Sequence, residues 1–307
     1  MKLTQLGEFG LIDRISRREH KRSTTLIGIG DDAAVLKFPG KYLLITTDTF
    51  IENIHFRLKN TSFFPLGQKV LAANISDIAA MGGWPTHALV TIGLPKTISV
   101  KAVDELYRGI DRVARKFKID IIGGDTVQSP KEIVISVVLL GEVERDNLLL
   151  RSTARVGDAI LVTGYFGGQA ATHYEISNQL PVIRIKEART IARLRMATAM
   201  IDSSDGLVRS VLEICKASKV GARIWLDMVP IAKGANLDQA LYGGEEYELV
   251  FTVPKAEAMN LAEKIQKKTK TKVSIVGEIV ASRLGVKLVN NQGRVILPKS
   301  GGYEHFR

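Results

Sequence analysis

Seven aspartates are the residues of this sequence best suited to chemistry. They lie near predicted strand ends, helix starts and glycine turns: Asp31 and Asp32 in GIGDDAAV, Asp48 in TTDT, Asp77 in NISDIAAMGG, Asp125 in IIGGD, and Asp202 and Asp205 in IDSSDGL. Taken singly, each could be a helix cap, a turn residue or an exposed charge. Asp77 is harder to explain in this way, because a charge between Ile75 and Ile78 needs a partner.

Taken together, the aspartates predict a magnesium site. Carboxylates on several loops, with oxygens from Thr46 and Thr47, form the hard ligand set that Mg²⁺ prefers. A single cysteine, Cys215, and the absence of histidine pairs argue against zinc. Because a site with several Mg²⁺ ions usually holds a polyphosphate, we expect ATP to be a co-substrate.

The adjacent pair Asp31 and Asp32 raises an electrostatic question. Two carboxylates about 4 Å apart repel by about 1 kcal/mol in water and about 4 kcal/mol at an effective dielectric of 20. Successive side chains of an extended segment point to opposite faces. We therefore expect Asp31 to face the metal ions, and Asp32 to turn away and bond the backbone of residues 33–35.

Several known nucleotide and hydrolase motifs are absent from the sequence. It contains no G-x-x-x-x-G-K-[ST] loop, no protein-kinase H-R-D and D-F-G set, no G-x-S-x-G elbow and no H-E-x-x-H. Carboxylates and bridging metal ions, rather than a lysine loop, must then hold the phosphates.

Composition indicates a soluble globular protein of 307 residues, long enough for two domains. No apolar stretch reaches the length of a bilayer, and the start of the chain does not resemble a signal peptide, so we expect a cytoplasmic protein without a membrane partner. The net charge of +11 allows nucleic-acid binding or an ordinary solvated basic surface. Scattered charges without interleaved aromatics favour the surface, and thus no nucleic-acid partner.

Strands and helices that must position these aspartates alternate in both halves of the chain. We predict strands at 41–48, 87–94, 119–125, 132–143 and 159–164, in ARIWLDM, YELVFTV, KVSIVGEIV and VKLVN, and helices at 65–80, 103–117, 166–177, 186–200, 207–219 and 254–269. This alternation predicts an α/β protein of two domains joined near 145–152. Periodicity alone leaves parallel and antiparallel pairing open.

Six sequence blocks resemble the thiamine-monophosphate kinase family. GIGDDAAV, TTDTFIENIHF, NISDIAAMGG, GGDTV, IDSSDGL and GGEEYELVF occur in the family's order, and the chain ends near GGYEHF. The similarity extends over nearly the whole length, and GGEEYELVF is typical of the kinases rather than of related enzymes such as aminoimidazole ribonucleotide synthetase.

The resemblance implies an α/β (α+β) fold of two domains, like that of aminoimidazole ribonucleotide synthetase. Residues 1–148 would form an N-terminal domain for ATP binding, Mg²⁺ binding and dimerisation, and residues 149–307 a C-terminal α/β domain. In such a homodimer the N-terminal sheets form a barrel, and the active sites lie near the subunit interface.

The resemblance also implies the activity, which is in-line transfer of the γ-phosphoryl group of ATP to thiamine monophosphate, without a phosphoenzyme, as the final step of thiamine diphosphate synthesis. Matching motifs would place Mg²⁺ ions on Asp31, Thr46, Thr47, Asp48, Asp77, Asp125, Asp202 and Asp205. ATP would contact Tyr107, Gly124, Asp125, Arg151 and Ser204, and thiamine monophosphate would contact His55, Glu245 and Tyr303. No residue is assigned as a catalytic base.

Alternatives accompany some of these assignments. Arg151 could be a solvent-facing residue of the linker, and His55 a core histidine. The chain has Asn53 where the family usually has glycine, Glu246 where it usually has aspartate, and Ser203 where it usually has an aliphatic residue. A related enzyme that acts on an ATP-activated amide or carbamoyl group is the nearest alternative function, and a basic nucleic-acid-binding protein is a more distant one.

Overall fold

The computed structural model describes residues 2–18, 22–172 and 182–306, which form two mixed α/β units around one β-sheet each. The helices are α1 (Leu3–Ser16), α2 (Phe63–Ala80), α3 (Val100–Phe117), α4 (Gly168–Ala171), α5 (Ile185–Leu194), α6 (Leu207–Ser218), α7 (Leu237–Tyr242) and α8 (Ala258–Thr269). The strands are β1 (Thr25–Ile27), β2 (Ala34–Phe38), β3 (Lys41–Ile51), β4 (Trp84–Leu94), β5 (Asp120–Gln128), β6 (Val134–Glu144), β7 (Asp158–Thr163), β8 (Ala199–Asp202), β9 (Gly221–Trp225), β10 (Leu249–Pro254), β11 (Val273–Val280), β12 (Val286–Val289) and β13 (Val295–Ile296).

The first sheet has the strand order β1-β2-β3-β6-β4-β5, and only its β4–β5 pair is parallel. Its two faces differ, because alternate side chains of a strand point to opposite sides. Leu44, Val137 and Val90 are buried on the face that α2 and α3 cover. Thr47 and Thr49 of β3 lie on the other face and are exposed.

Helices α2 and α3 approach each other closely through two glycines. A Cβ atom at Gly67 would overlap the carbonyl oxygen of Leu106, and one at Gly109 would overlap that of Phe64. Only glycine permits this spacing, so the two backbones pack almost directly against each other. The contact holds α2 firmly against the sheet.

The second sheet has the order β13-β12-β9-β11-β7-β10-β8, and only its β9–β12 pair is parallel. Helices α5 and α8 cover one face, and α6 covers the other. The core under α5 and α8 is continuous with the core of the first unit, and α2 contacts both α5 and β8. Helix α2 therefore lies between the two sheets.

Most predicted elements are confirmed, with two differences. The predicted helix at 186–200 ends at Leu194, where Arg195 adopts a left-handed conformation with φ 53°, and β8 follows. The predicted helix at 166–177 is present as α4 only, and residues 173–177 lie outside the described residues.

The pairing that periodicity left open is largely antiparallel. Neither sheet closes on itself within the described part of the chain, so the expected barrel is not formed by one copy. Across the described ranges, every helix is too short or too polar to cross a bilayer.

Candidate active site

A cavity of about 640 Å³ lies where the two units meet. It is lined by β3 and the loop that follows it, by α2, by the turn after β8, by the loop before β10 and by the C-terminal tail. Glu8 of α1 completes the wall. Segments from both units and both ends of the chain therefore build one concave site.

Three carboxylates meet beside this cavity. Asp32, Asp77 and Asp202 each offer one oxygen, and these oxygens lie within 4.8 Å of one another. Asp32 comes from the turn before β2, Asp77 from α2 and Asp202 from the end of β8. We call Asp32, Asp77 and Asp202 the acidic group.

Hydroxyl groups orient two members of the acidic group. Thr46 Oγ1 donates to Asp77 Oδ2 at 2.6 Å, and Ser76 Oγ donates to Asp202 Oδ2 at 2.6 Å. Thr46 reaches Asp77 because it lies on the face of β3 that packs against α2. The adjacent Thr47 lies on the opposite face, so the two threonine side chains do not act together.

The electrostatics of the acidic group call for a cation. Burial, followed by the charge of Asp48, raises the pKa of Asp77 well above its usual value. Burial, followed by the charge of Asp32, raises the pKa of Asp202 to about 8. Asp32 Oδ2 is buried without a hydrogen-bond donor among the described residues. Since a divalent cation would satisfy that oxygen and offset the repulsion, these carboxylates fit Mg²⁺.

The expectation that Asp32 turns away from the other aspartates is wrong. Asp32, not Asp31, belongs to the acidic group. Asp31 instead accepts hydrogen bonds from the backbone nitrogens of Asp32 at 3.0 Å and of Arg151 at 3.2 Å. The Arg151 guanidinium pairs with Asp32 Oδ1 and lies 3.6 Å from Asp31 Oδ1. One arginine thus compensates both charges.

The ion pair between Arg151 and Asp32 also excludes one interpretation of Arg151 that the sequence left open. Its side chain is only 19% exposed, so it is not a solvent-facing residue of the linker. Whether its remaining donors reach a nucleotide stays a prediction.

Asp48 and Asp205 form a second acidic site, on the cavity wall itself. Burial, followed by the charge of Asp205, raises the pKa of Asp48 to about 6. Burial, followed by the charge of Glu8, raises the pKa of Asp205 to about 6. Ser204 lines the same wall, and its Oγ lies 3.3 Å from Asp205 Oδ2.

Three predicted residues lie away from the cavity. Asp125 is on the exposed edge strand β5, and the ladder places it in line with Thr91, Ser136 and Thr49. It is therefore on the uncovered face of the sheet, three strand spacings from Thr49, or roughly 14 Å.

Gly124 and Tyr107 are likewise separate from the acidic group. Gly124 lies on β5 with φ 152°, where a Cβ atom would overlap the Val90 carbonyl oxygen. Tyr107 is half-buried on α3, where it packs against the core of the first unit. Within one copy of the chain, the structure does not bring these residues to the cavity.

The same cavity carries the three residues assigned to thiamine monophosphate. His55, Glu245 and Tyr303 all line it. The His55 ring is 5.6 Å from Phe50 and 5.2 Å from His305, and its Nδ1 accepts from the Ile51 backbone nitrogen at 3.0 Å. Burial, followed by the charge of His305, lowers the pKa of His55. His55 is thus a cavity residue rather than a core histidine.

Four residues of this site were not assigned to it from the sequence, although Asp32 was among the candidate aspartates. Asp32 is in the acidic group, Glu8 and His305 line the cavity, and Lys69 lies behind Glu245. The Glu8 carboxylate accepts from the His305 backbone nitrogen at 2.9 Å, which ties α1 to the C-terminal tail. Lys69, Ala73 and Asp77 are spaced four residues apart, which puts them on one side of a helix. This spacing could have indicated from the sequence that Lys69 lies near the site of Asp77.

Two of the three departures from the family pattern, Asn53 and Glu246, have structural explanations, whereas nothing in the structure explains Ser203. Asn53 adopts a left-handed conformation with φ 66°, which glycine adopts freely and asparagine tolerates. Glu246 Oε1 accepts from the Gln169 backbone nitrogen at 3.0 Å, away from the acidic group. Neither substitution alters the proposed ligands.

Two mixed α/β units with a carboxylate-lined cavity between them define the class of this protein. Family models described as "AIR synthase related protein" match it with an N-terminal domain over residues 30–143 and a C-terminal domain over residues 155–289. Within that class, the chain belongs to the thiamine-monophosphate kinase family, as the following relatives show.

The relatives match over nearly their full length. The thiamine-monophosphate kinase of Buchnera aphidicola subsp. Schizaphis graminum is 37% identical over 98% of this chain and 99% of its own. That of Bacillus subtilis is 34% identical over 98% of this chain and 100% of its own. A solved structure described as "AaThiL complexed with AMPPCP and TMP" is 31% identical, with a TM-score of 0.84 and 99% of each chain covered.

Proposed function

We propose that this protein transfers the γ-phosphoryl group of ATP to thiamine monophosphate, which gives thiamine diphosphate and ADP. The observation that carries the proposal is the acidic group, which has an unsatisfied buried oxygen and lies beside a cavity of suitable size. A relative that aligns over 99% of the chain was solved with the ATP analogue AMPPCP and with TMP, which supports both substrates.

Phosphoryl transfer needs positioning and positive charge more than covalent chemistry. Asp32, Asp77 and Asp202 would hold Mg²⁺, and Asp48 and Asp205 on the cavity wall extend the ligand set. Bound Mg²⁺ would supply the positive charge that lets two anionic substrates approach. Asp31 keeps Arg151 in place between the two adjacent aspartates and thereby steadies Asp32. A direct metal contact by Asp31, Thr46 or Thr47 is part of the proposal.

In the same cavity, His55, Glu245 and Tyr303 bind and orient thiamine monophosphate. The attacking group is a phosphate oxygen that already carries charge at neutral pH, so no strong general base is required. Ser204 and Arg151 face the nucleotide. Transfer is direct and in line, without a phosphoenzyme, and we place this reaction in the cytoplasm with no nucleic-acid or membrane partner.

A second copy of the chain completes the site in this proposal. Asp125 and Gly124 lie on an exposed edge strand, and Asp125 points to the sheet face that no helix in the described ranges covers. Exposed Val127 and Leu89 give this surface apolar area. A homodimer that joins these faces as a barrel would bring Asp125 and Gly124 toward the partner's phosphates. Tyr107, on α3 at the covered side of the sheet, stays a proposed ATP contact. Residues 1–148 then form the dimerising domain and residues 149–307 the second domain.

The test is an assay with two acceptors. Purified protein, ATP and Mg²⁺ are incubated with thiamine monophosphate or with formylglycinamidine ribonucleotide, and ADP and thiamine diphosphate are measured. We expect equal amounts of ADP and thiamine diphosphate, only with thiamine monophosphate, and loss of turnover with EDTA that added Mg²⁺ restores. ADP release only with the ribonucleotide would refute the proposal and favour the amide-activating alternative.

A further inference from the structure

A buried lysine lies directly behind Glu245, one of the residues that line the cavity. The Lys69 side chain is only 8% exposed, and its Nζ lies 2.7 Å from Glu245 Oε2. The same ammonium group is 6.0 Å from the centroid of the Phe50 ring, which also lines the cavity. Burying an ammonium group is costly unless a partner compensates its charge. Glu245 is that partner, and the function of the Lys69–Glu245 pair therefore needs an explanation.

The position of Lys69 on α2 connects it to the site. Lys69, Ala73 and Asp77 follow one another at intervals of four residues and therefore lie along one side of the helix. Ala73 and Asp77 line the cavity, whereas Lys69 supports it from behind Glu245. The helix that contributes Asp77 to the acidic group thus also contributes the cation beside Glu245.

Glu245 is held at its backbone as well as at its carboxylate. It adopts a left-handed conformation with φ 65°, and its backbone nitrogen donates to the Ser204 carbonyl oxygen at 2.6 Å. A carboxylate has two oxygens, so holding Oε2 through Lys69 leaves Oε1 for a ligand. The neighbouring wall carries the carboxylates of Asp48 and Asp205, and the Lys69 charge offsets their repulsion of Glu245.

We propose that Lys69 is a positioning residue for the phosphoryl acceptor, and that it acts through Glu245. It fixes the direction of the Glu245 carboxylate, which then meets an N–H donor or a cationic ring of the acceptor. This inference rests on the proposed function, since it takes thiamine monophosphate as the acceptor. Within the described residues Lys69 pairs with Glu245 and not with the acidic group, so we expect its main effect on acceptor binding.

The experiment compares five variants with the unmodified protein: Lys69→Met, Lys69→Arg, Glu245→Gln, the Lys69→Met/Glu245→Gln double variant, and Lys41→Met. Lys41 pairs with Glu142 at an exposed position, so Lys41→Met is the matched control for loss of a lysine–glutamate pair. For each protein, kcat and the KM values for thiamine monophosphate and ATP are measured, and circular dichroism checks the fold.

We expect Lys69→Met to raise the KM for thiamine monophosphate on the order of tenfold or more, because it leaves the half-buried Glu245 carboxylate without its partner. The KM for ATP stays within about twofold, as for the Lys41→Met control. Lys69→Arg restores most of the acceptor affinity. The double variant is no worse than Glu245→Gln alone, because Lys69 acts through Glu245.

Several results would overturn the positioning role. A folded Lys69→Met variant with an unchanged KM for thiamine monophosphate would do so, as would equal increases in both KM values or additive effects in the double variant. If Lys69→Met does not fold, Lys69→Gln keeps a polar group at the site and takes the same measurements. An unmodified protein without turnover of thiamine monophosphate would instead refute the proposed function itself.

Discussion

At the scale of single residues, neighbouring carboxylates are tolerated here because their environments differ. Asp31 accepts hydrogen bonds from backbone N–H groups, whereas Asp32 pairs with Arg151 and is a member of the acidic group. The side chains of Asp31 and Asp32 are only 4% and 0% exposed, so solvent contributes little to separating their charges. Sequence spacing predicted that the two side chains diverge, but the assignment of each depends on Arg151, which is 119 residues from Asp32.

Asp77→Asn tests the role of the acidic group. We expect kcat to fall by about 10²-fold or more, because a charged ligand of the proposed metal site is lost. The fold should be retained, since asparagine still accepts a hydrogen bond from Thr46 and no longer repels Asp48 and Asp202. Steady-state kinetics over a range of Mg²⁺ concentrations, with thermal unfolding as the stability control, measure both effects. A normal rate with unchanged Mg²⁺ dependence would contradict the role.

At the scale of elements, α2 organises the site. It carries Lys69, Ser76 and Asp77, packs on α3 through Gly67, and contacts the second unit at α5 and β8. Its helical periodicity and the glycines after Ala80 made this element predictable from sequence. Lys69 was not predictable in the same way, because a lone lysine on a helix is usually solvated and its burial depends on a loop 176 residues away.

A second contact fixes how the two units meet, and it predicts a pH dependence. Arg189 of α5 donates at 2.6 Å to the Gly82 carbonyl oxygen and at 2.6 Å to Glu144 Oε1. The hydrogen bond from Arg189 is the largest cause that lowers the pKa of Glu144 from 4.5 to about 2. Because the folded state favours the ionised form, this stabilisation is present above pH 4.5 and is lost as the pH falls toward 2.

Arg189→Met should therefore lower the free energy of unfolding by about 1–3 kcal/mol near pH 7, where a buried carbonyl also loses its donor. The difference from the unmodified protein should shrink below about pH 4.5. Arg195→Met is the control, since Arg195 pairs with Asp146 at an exposed position and should cost under about 1 kcal/mol. Urea unfolding between pH 3 and 7 measures this, and a pH-independent difference would contradict the account.

At the scale of the whole molecule, the candidate site is divided between distant parts of the fold. Strand–helix alternation predicted two mixed α/β units, and the family resemblance named eight of the twenty described residues that line the cavity. The hydrophobic pattern does not predict the order of strands in a sheet. The separation of Asp125 from β3 by three strand spacings could therefore not be predicted from the sequence. Its position on an open sheet face is the main reason to expect a dimer.

Mixing two inactive variants tests whether subunits share a site. Asp77→Asn and Asp125→Asn should each be nearly inactive alone. After the two proteins are unfolded and refolded together, mixed dimers should contain one intact site, which restores about a quarter of the unmodified activity. The control is Asp77→Asn protein that is unfolded and refolded in the same way without the Asp125→Asn variant. No recovery, despite mixed dimers seen by native mass spectrometry, would show that Asp77 and Asp125 act within one chain.

The most direct test of the central claim follows the phosphoryl group itself. ATP labelled in its γ-phosphoryl group is mixed with excess protein, Mg²⁺ and thiamine monophosphate, and the label is followed through a single turnover. Label should enter thiamine diphosphate at the rate at which it leaves ATP, and none should remain on the protein. Label that appears as inorganic phosphate or on the protein, with thiamine diphosphate unlabelled, would contradict direct transfer at this site.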